Sequence, residues 1–288
     1  MAERSRLAGT APAKLNLYLH VVGRRDDGYH LLDTLFAFTV FGDELAVERS
    51  TAPASTLEID GPFAAALSGG SDNLVLRAAQ TLSADLAARL SLIKNLPVAS
   101  GLGGGSTDAG AALRLLLQLW NLSPSVEALR DLTRRLGADV PACFAGTPCF
   151  AGGVGDLLSP APALPPAGIV LINPRIALPT PEVFGRRSGA YSQPARFATA
   201  CATARDLAVI LRERRNDLTP GAVTLVPVIA VILAALDSSE GCHVARMSGS
   251  GATCFGIYDD AASATRAAGA VRMRHPHWWI VATELLSR

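Results

Sequence analysis

Four glycines fall within the five residues from 101 to 105, directly before a strongly apolar segment. Because glycine has no Cβ, such a loop brings bare backbone N–H groups close to a ligand. The segment from 106 to 120 is apolar almost all round and predicts a buried helix, whose N-terminus adds unpaired N–H donors and a partial positive charge. The pattern therefore predicts a phosphate site in the loop, formed by Pro97, Val98, Ala99, Ser100, Gly101, Leu102, Gly103, Gly104, Gly105, Ser106 and Thr107.

This loop differs from two other glycine-rich phosphate motifs. The P-loop needs Gly-Lys-Ser or Gly-Lys-Thr, and no Gly-Lys pair occurs in the sequence. The dinucleotide fingerprint needs a third glycine at a fixed spacing and an acidic residue about 20 positions further on. Here the loop leads into a helix and then into Ser123-Pro124-Ser125. The plainer alternative is a glycine hinge without a ligand, but Pro97 stiffens one side of the loop and the helix fixes the other.

The composition excludes some classes of function. The chain has 288 residues, of which 49% are hydrophobic, enough for a sizeable core. Its 26 basic residues nearly balance its 25 acidic ones, so we expect no nucleic-acid or membrane partner. The five cysteines are odd in number and show no Cys-x-x-Cys spacing. Together with a start that leads into no apolar signal segment, they predict reduced thiols and a cytoplasmic protein. The sequence leaves the oligomeric state open.

Two lysines stand out, because arginine supplies 24 of the 26 basic residues. They mark positions where a compact ammonium group is needed. Lys14 lies in an alternating segment from 13 to 22, which predicts a half-buried strand with Lys14 and Asn16 on one polar face. Lys94 lies in a short predicted strand from 90 to 96, just before the glycine loop, and is a candidate cofactor-binding residue. The alternatives are a solvated strand-face lysine and chance.

Helices flank the loop in the first half of the chain. We predict one helix from 72 to 90 and another from 125 to 136, which Gly137 closes in a left-handed cap. Asp108, placed in the first turn of the loop's own helix, either complements the helix dipole or helps to hold a metal ion. Asp139 follows in a short loop, where it is either a functional carboxylate or an ordinary turn or cap residue.

Four prolines between 159 and 168 predict a domain boundary, with domains from 1 to 158 and from 159 to 288. In the second half we predict strands over 169–173, 243–247, 254–258 and 279–283, and helices over 181–184, 198–215 and 227–236. A second loop of small residues runs from Ser248 to Thr253. It is either an ordinary bulge or a second wall of the phosphate site.

In this order the motifs resemble those of the GHMP small-molecule kinases, which include galactokinase and the homoserine, mevalonate and phosphomevalonate kinases. The resemblance covers nearly the whole chain. Besides the glycine loop, it rests on Ala13-Lys14-Leu15-Asn16, Asp27-Gly28-Tyr29-His30, Gly137-Ala138-Asp139-Val140-Pro141, Thr180-Pro181 with Phe184, Asn216-Asp217-Leu218 and the segment from Met247 to Ala252. The set is similar to the branch that phosphorylates a hydroxyl of 4-(cytidine 5′-diphospho)-2-C-methyl-D-erythritol in non-mevalonate isoprenoid biosynthesis.

The resemblance implies a two-domain α+β fold, with an N-terminal domain like domain 2 of ribosomal protein S5 and a ferredoxin-like C-terminal domain. It implies that ATP and Mg²⁺ are the cofactors and that Ser106 or Thr107 contributes to the metal site. It implies that Lys14 and Asp139 are the catalytic residues. The positions that it assigns to a substrate carrying a cytidine diphosphate group are Asn16, Tyr29, His30, Thr180 and Phe184. The segment from 185 to 189 departs from the pattern, which leaves that part of the substrate wall open.

Two other functions remain alternatives. One is a GHMP kinase for another small alcohol, of the homoserine or mevalonate type, against which the Tyr29-His30 pair argues. The other is a catalytically silent ATP-binding regulator, against which the presence of both Lys14 and Asp139 argues. At single positions, Tyr29 and Phe184 could instead be core aromatics, and His30 a structural histidine. The other four histidines show no companions that predict a metal site.

Overall fold

The computed structural model describes residues 6–286, which form ten strands and nine α-helices. The strands are β1 Arg6–Arg24, β2 His30–Ser50, β3 Thr56–Asp60, β4 Ala87–Ile93, β5 Cys149–Gly152, β6 Leu157–Pro160, β7 Gly168–Asn173, β8 Val244–Met247, β9 Cys254–Tyr258 and β10 Trp279–Glu284. The helices are α1 Leu74–Leu82, α2 Gly104–Trp120, α3 Val126–Leu136, α4 Val140–Ala145, α5 Thr180–Gly185, α6 Ala204–Arg212, α7 Thr219–Leu225, α8 Val228–Asp237 and α9 Ala261–Arg274.

The first of two compact units comprises residues up to 13, 41–98 and 103–146. In it the second half of β2 pairs with β4 in antiparallel fashion, and β4 pairs with β3 in parallel. The core lies between these strands and α1, α2 and α3, and consists largely of leucine and alanine. Helix α2 is buried along most of its length because its alanines and leucines face neighbours on every side.

The second unit comprises residues 14–40, 99–102 and 147–286 of the described chain. In it the first half of β2 pairs with β5, and β5 pairs with β6, both antiparallel. A separate four-stranded antiparallel sheet has the order β10-β7-β9-β8. The core of this unit combines the sheet with α7, α8 and α9 and with Leu19 and Val21 of β1.

Strand β1 is longer than predicted, and the expectation that one of its faces is solvated is wrong. Residues 11–21 are all buried. The polar face is covered because its side chains have hydrogen-bond partners: Asn16 Nδ2 donates to Thr34 Oγ1 at 2.9 Å and Tyr18 Oη donates to Asp33 Oδ2 at 2.9 Å. A polar side chain that is hydrogen-bonded can be buried without a large penalty.

The helix predicted from 72 to 90 is also wrong in its second half. Helix α1 ends at Leu82, and β4 occupies 87–93 with alternate residues buried. The segment has helix-forming leucine and alanine, but pairing with β2 on one side and β3 on the other overrides that propensity. Gly137 ends α3 as predicted, but its φ of 163° is extended and not left-handed.

Most other predicted elements are present with shifted ends. Helix α6 begins at Ala204 and not at 198, because Thr203 and Asp206 form a capping box there. Five of the observed elements have no predicted counterpart: α4, α7, α9, β5 and β6. The two units interleave along the chain, whereas the predicted boundary at 158 and 159 divides it into consecutive halves; that boundary stays a prediction.

The architecture confirms the predicted mixed α+β class. Among the described helices, none has the length and apolar composition that crossing a membrane would require.

Candidate active site

The candidate phosphate-binding feature of the first unit is the N-terminus of α2. Gly103, at the N-cap position, adopts the left-handed conformation with φ 63° and offers no side chain to cap the helix. The first amide to close a helical hydrogen bond is that of Thr107, which donates to Gly103 O at 2.9 Å. The amides of Gly104, Gly105 and Ser106 precede it and have no acceptor within the helix, which is the arrangement that binds phosphate.

The middle of the glycine loop, residues 99–102, belongs to the second unit and packs against the second small-residue loop. Ser248 Oγ donates to Gly101 O at 2.9 Å, and Thr253 N donates to Ser100 O at 3.0 Å. An ideal Cβ on Gly101, whose φ is 79°, would lie 2.2 Å from Ser248 O, so this close approach requires glycine. The two loops therefore pack together as one structure. This contact favours the prediction that the second loop is a wall of the phosphate site over the alternative of an ordinary bulge.

Lys14 is buried beside this loop structure, with 4% of the residue exposed. Its backbone N donates to Leu102 O at 2.9 Å, which ties β1 to the loop. Its Nζ lies 4.0 Å from the centroid of the Phe36 ring, within cation–π distance. Lys14 is thus not a solvated strand-face residue, and its ammonium group is held in a low-dielectric setting where a point charge acts strongly.

Asn16 lies two residues further along β1 and is equally buried. Its backbone N donates to Ser248 Oγ at 3.1 Å, and its Nδ2 donates to Thr34. Its Oδ1 is buried and accepts no hydrogen bond from any described residue. Because an unpaired buried acceptor is costly, the group is suited to receive a donor from a ligand.

An aromatic pair forms the most specific feature of the second unit. The rings of His30 and Phe184 are stacked with their centroids 5.1 Å apart, at 25° between planes. Tyr29 is 65% exposed, which excludes a role as a core aromatic. Thr180, at the start of α5, shares a 2.8 Å hydrogen bond with Ser250 of the small-residue loop. The structure thus joins the region of Thr180 and Phe184 to the loop that contacts Gly101.

The electrostatics around His30 favour the neutral imidazole. Partial burial, followed by the positive charges of Arg24 and Arg187, lowers the pKa of His30 below its ordinary value. A neutral imidazole has one donor and one acceptor nitrogen. At pH 7 the ring can therefore both give and receive a hydrogen bond at the edge of a base.

Asp139 and Lys94 lie in the first unit, so the predicted catalytic partnership of Lys14 with Asp139 stays a prediction. Asp139 occupies the N-cap position of α4 but makes no side-chain capping bond, which argues against a purely capping role.

Lys94 is 2% exposed, and its Nζ lies 2.6 Å from carboxylate oxygens of Asp43 and Asp108. Asp108 thus binds Lys94, one turn further into α2 than predicted.

The two residues that could hold a metal ion, Ser106 and Thr107, would bind it through their side-chain hydroxyl groups. Within residues 6–286, no group of three His, Cys, Asp or Glu side chains is arranged to bind a metal. Thr107 is fully buried and its Oγ1 donates to Gly104 O at 2.9 Å, whereas Ser106 is partly exposed. Of the two candidate residues, Ser106 is therefore the better placed to reach a metal bound with phosphate.

Sequence reasoning missed several residues that build these features. Asp43 and Thr34 were overlooked; both lie on β2, a strand with many buried apolar residues. A charged or hydroxyl residue inside such a segment must be partnered, and that is the signal that could have found them. Of the other histidines, His20 is structural, because its Nδ1 lies 3.0 Å from Gln193 O and its Nε2 accepts from Arg215 N at 3.2 Å, whereas His277 is exposed.

Comparison with known proteins agrees with this geometry. Two family descriptions match, GHMP kinases N terminal domain over residues 73–147 and GHMP kinases C terminal over residues 198–276. The 4-diphosphocytidyl-2-C-methyl-D-erythritol kinase of Paramagnetospirillum magneticum is 50% identical over 281 residues, covering 96% of this chain and 98% of that protein.

Solved structures show the same relationship. A crystal structure of 4-(cytidine 5′-diphospho)-2C-methyl-D-erythritol kinase superposes with a TM-score of 0.77 at 34% identity, over 98% of this chain and 100% of that one. Homoserine kinase from Cytophaga hutchinsonii gives a TM-score of 0.70 at 16% identity over 98% of this chain and 96% of that one, a likeness of fold alone. This chain belongs to the GHMP kinases, and within them to the 4-diphosphocytidyl-2-C-methyl-D-erythritol kinases.

Proposed function

We propose that this kinase transfers the γ-phosphate of ATP to a hydroxyl group of 4-(cytidine 5′-diphospho)-2-C-methyl-D-erythritol, a step of non-mevalonate isoprenoid biosynthesis. The observation that best supports the substrate is the stacked pair of His30 and Phe184, with the exposed Tyr29 preceding His30 in the chain. A flat aromatic surface beside a neutral imidazole suits a pyrimidine base. The near full-length similarity to kinases with that substrate in their name supports the same assignment.

On this proposal the uncapped start of α2 receives the β- and γ-phosphates of ATP. The amides of Gly104, Gly105 and Ser106 donate to phosphate oxygens, and the helix dipole adds a favourable field. Mg²⁺ would be held here by the Ser106 hydroxyl together with the phosphates, as a serine or threonine hydroxyl holds it in P-loop enzymes. When bound, it neutralises the charge that develops on the phosphates during transfer.

Asp139 accepts the proton of the attacking hydroxyl as general base, and Lys14 orients that hydroxyl and lowers its pKa through its positive charge. Asn16 receives a donor of the substrate at its unpaired Oδ1. Thr180 supports the wall between this position and the aromatic pair, through its bond to Ser250. Phosphoryl transfer depends mainly on such positioning and on charge stabilisation.

The neutral His30 reads the edge of the cytosine, Tyr29 stacks on the base, and Phe184 closes the pocket from α5. We also propose a cytoplasmic location, which the five free cysteines support.

A coupled assay of ADP release tests the substrate. We expect turnover with 4-(cytidine 5′-diphospho)-2-C-methyl-D-erythritol and far weaker turnover with homoserine, mevalonate or galactose at the same concentration. His30→Ala should weaken binding of the cytidine substrate while leaving the KM for ATP unchanged. Equal turnover of any of the other three alcohols would overturn the assignment, and absence of ADP release with all four would leave the silent regulator as the better interpretation.

A further inference from the structure

Three buried ionisable side chains of the first unit lie together at the start of α2. Lys94 Nζ is 2.6 Å from Asp43 Oδ2 and 2.6 Å from Asp108 Oδ2. All three residues are at least nine-tenths buried. Lys94 is one of only two lysines in the chain, and its ammonium group is occupied by two carboxylates. We call these three residues the loop clamp.

The loop clamp joins the two segments between which the loop runs. Asp43 Oδ1 accepts from Asn95 N at 2.6 Å and from Leu96 N at 2.8 Å, the two amides just before Pro97. Its other oxygen holds Lys94, and Lys94 holds Asp108, the fifth residue of α2. One carboxylate thus fixes the chain before the loop, and through the lysine it fixes the helix after the loop.

The clamp also explains one of the glycines. An ideal Cβ on Gly104 would lie 2.9 Å from Lys94 Nζ and 3.7 Å from Asp43 Oδ2. The ammonium group therefore packs against the first residue of α2, where a side chain would otherwise lie. This residue carries one of the three amides that are free to bind phosphate. A shift of the lysine would shift that amide directly.

The arrangement is not what stability alone would favour. Replacing a buried ion pair by apolar groups of similar volume is often neutral or stabilising. In addition, Asp108 Oδ1 is buried and accepts no hydrogen bond from the described residues, which costs free energy. A buried polar cluster of this kind makes directional contacts, which fix the positions of the groups around it.

We propose that Asp43, Lys94 and Asp108 are positioning residues, which hold the amides of Gly104, Gly105 and Ser106 in the geometry that binds ATP. Lys94 then acts through the loop and does not itself contact the nucleotide. The proposal rests on the function proposed above, because it assumes that these amides bind phosphate. On this proposal, Lys94 supports ATP binding indirectly, whereas the sequence predicted that Lys94 binds the cofactor itself.

Isothermal titration calorimetry with ATP and Mg²⁺ on the full chain tests the clamp without requiring turnover. Asp108→Leu removes the one of the two acceptors of Lys94 that lies on α2, and it should weaken ATP binding at least tenfold. Asp108→Asn keeps an oxygen for the same hydrogen bond and should stay within about threefold of the wild type. Titration with CDP should give the same affinity in all variants, because the aromatic pair belongs to the other unit.

Arg114→Met is the matched control. Arg114 lies in the same helix and donates to Cys143 O and Phe144 O at 2.7 and 2.9 Å, so its loss removes two partly buried hydrogen bonds at a position ten residues beyond the start of α2. It should lower the melting temperature and leave the Kd for ATP unchanged. If Asp108→Leu does not fold, the double variant Lys94→Met with Asp108→Leu removes both ends of the contact to α2, while Asp43 keeps the amides of Asn95 and Leu96 as donors; it should show the same loss.

The outcomes separate the two proposals. If the wild-type chain binds no ATP, the proposed function fails. If it binds ATP and folded Asp108→Leu binds equally well, the loop clamp fails. If folded Asp108→Leu keeps the affinity for ATP and the double variant loses it, Lys94 contacts the nucleotide directly and the positioning role is overturned.

Discussion

At the scale of single residues, function here depends on charges and polar atoms that the fold has buried. Lys14 was predicted from its position on an alternating strand, and that pattern gave no sign that both faces would be covered. Burial was set by partners far away in sequence, such as Thr34 and Ser248 around Asn16. The residue types could therefore be predicted from the sequence, whereas their environment depended on tertiary contacts that no local pattern encodes.

Asp139→Asn tests the base at this scale. Asparagine keeps the shape of the side chain and removes the proton acceptor, and Asp139 makes no capping bond whose loss would weaken α4. A general base contributes about 10² to 10⁴ in rate. We expect that loss in kcat with little change in either KM, because the interaction is made only in the transition state.

The matched control is Asp131→Asn, the same change at an exposed position of α3. It should leave kcat, KM and the melting temperature unchanged. Steady-state kinetics with varied ATP and varied cytidine substrate measure kcat and both KM values, and thermal denaturation measures the melting temperature. If Asp139→Asn retained most of the wild-type kcat, Asp139 would be an ordinary loop residue.

At the scale of elements, prediction was best where a single hydrophobic pattern ran through the whole segment. It was worst where pairing with neighbouring strands determined the secondary structure. Helix α2 lies within two residues of its predicted start, because its apolar run is long and a glycine loop precedes it. Strand β4 was assigned largely to a helix, because its identity comes from β2 and β3 and not from its own composition. Helix α9 was missed although its start could have been predicted from Asp260, an aspartate at the N-cap position. The Asp260 side chain accepts a hydrogen bond from Ser263 N at 2.7 Å.

Gly103→Ala tests the N-terminus of α2 as a binding element. Gly103 is left-handed, so alanine there costs about 1–2 kcal/mol of unfolding free energy. The added methyl group also stands at the N-cap, beside the amides proposed to bind phosphate. We expect a rise in the KM for ATP of at least tenfold and no change in the KM for the cytidine substrate.

Gly146→Ala provides a closely matched comparison. Gly146 ends α4 with the same φ of 63° and ψ of 21°, and an ideal Cβ there lies 3.9 Å from Arg114. The backbone penalty is therefore the same while the loop is untouched. Denaturant titration should give similar losses of stability for both variants, and only Gly103→Ala should affect ATP. A similar rise in the KM for ATP in both would mean that instability alone explains it.

At the scale of the whole molecule, the compact units do not follow the order of the chain. A proline-rich segment suggested a boundary at 158 and 159, and the two family descriptions lie on either side of it. Yet β1 and β2 each contribute residues to both units. Composition along a chain reveals where linkers occur, but it cannot reveal that an early strand completes a later core.

The last prediction follows from this interleaving: the isolated fragment from 159 to 288 should not fold as it does in the whole chain. The core of the second unit includes Leu19 and Val21 of β1. Leu19 N donates to Arg215 O at 3.0 Å, Asp217 N donates to Leu19 O at 2.8 Å, and Val21 N donates to Asp217 Oδ2 at 2.8 Å. Without β1, these groups and the apolar surface beneath them are exposed to water, and the hydrophobic contribution of that contact is lost.

We expect poor chemical-shift dispersion and no cooperative thermal transition for this fragment, measured by NMR and circular dichroism. Co-expression with a fragment from 1 to 158 supplies β1 and should restore a cooperative transition, which separates the missing strand from damage caused by the cut itself. A fragment from 159 to 288 that unfolds cooperatively on its own would show that the boundary read from the prolines divides two independent domains. In that case β1 would be an addition to a finished core and not a part of it.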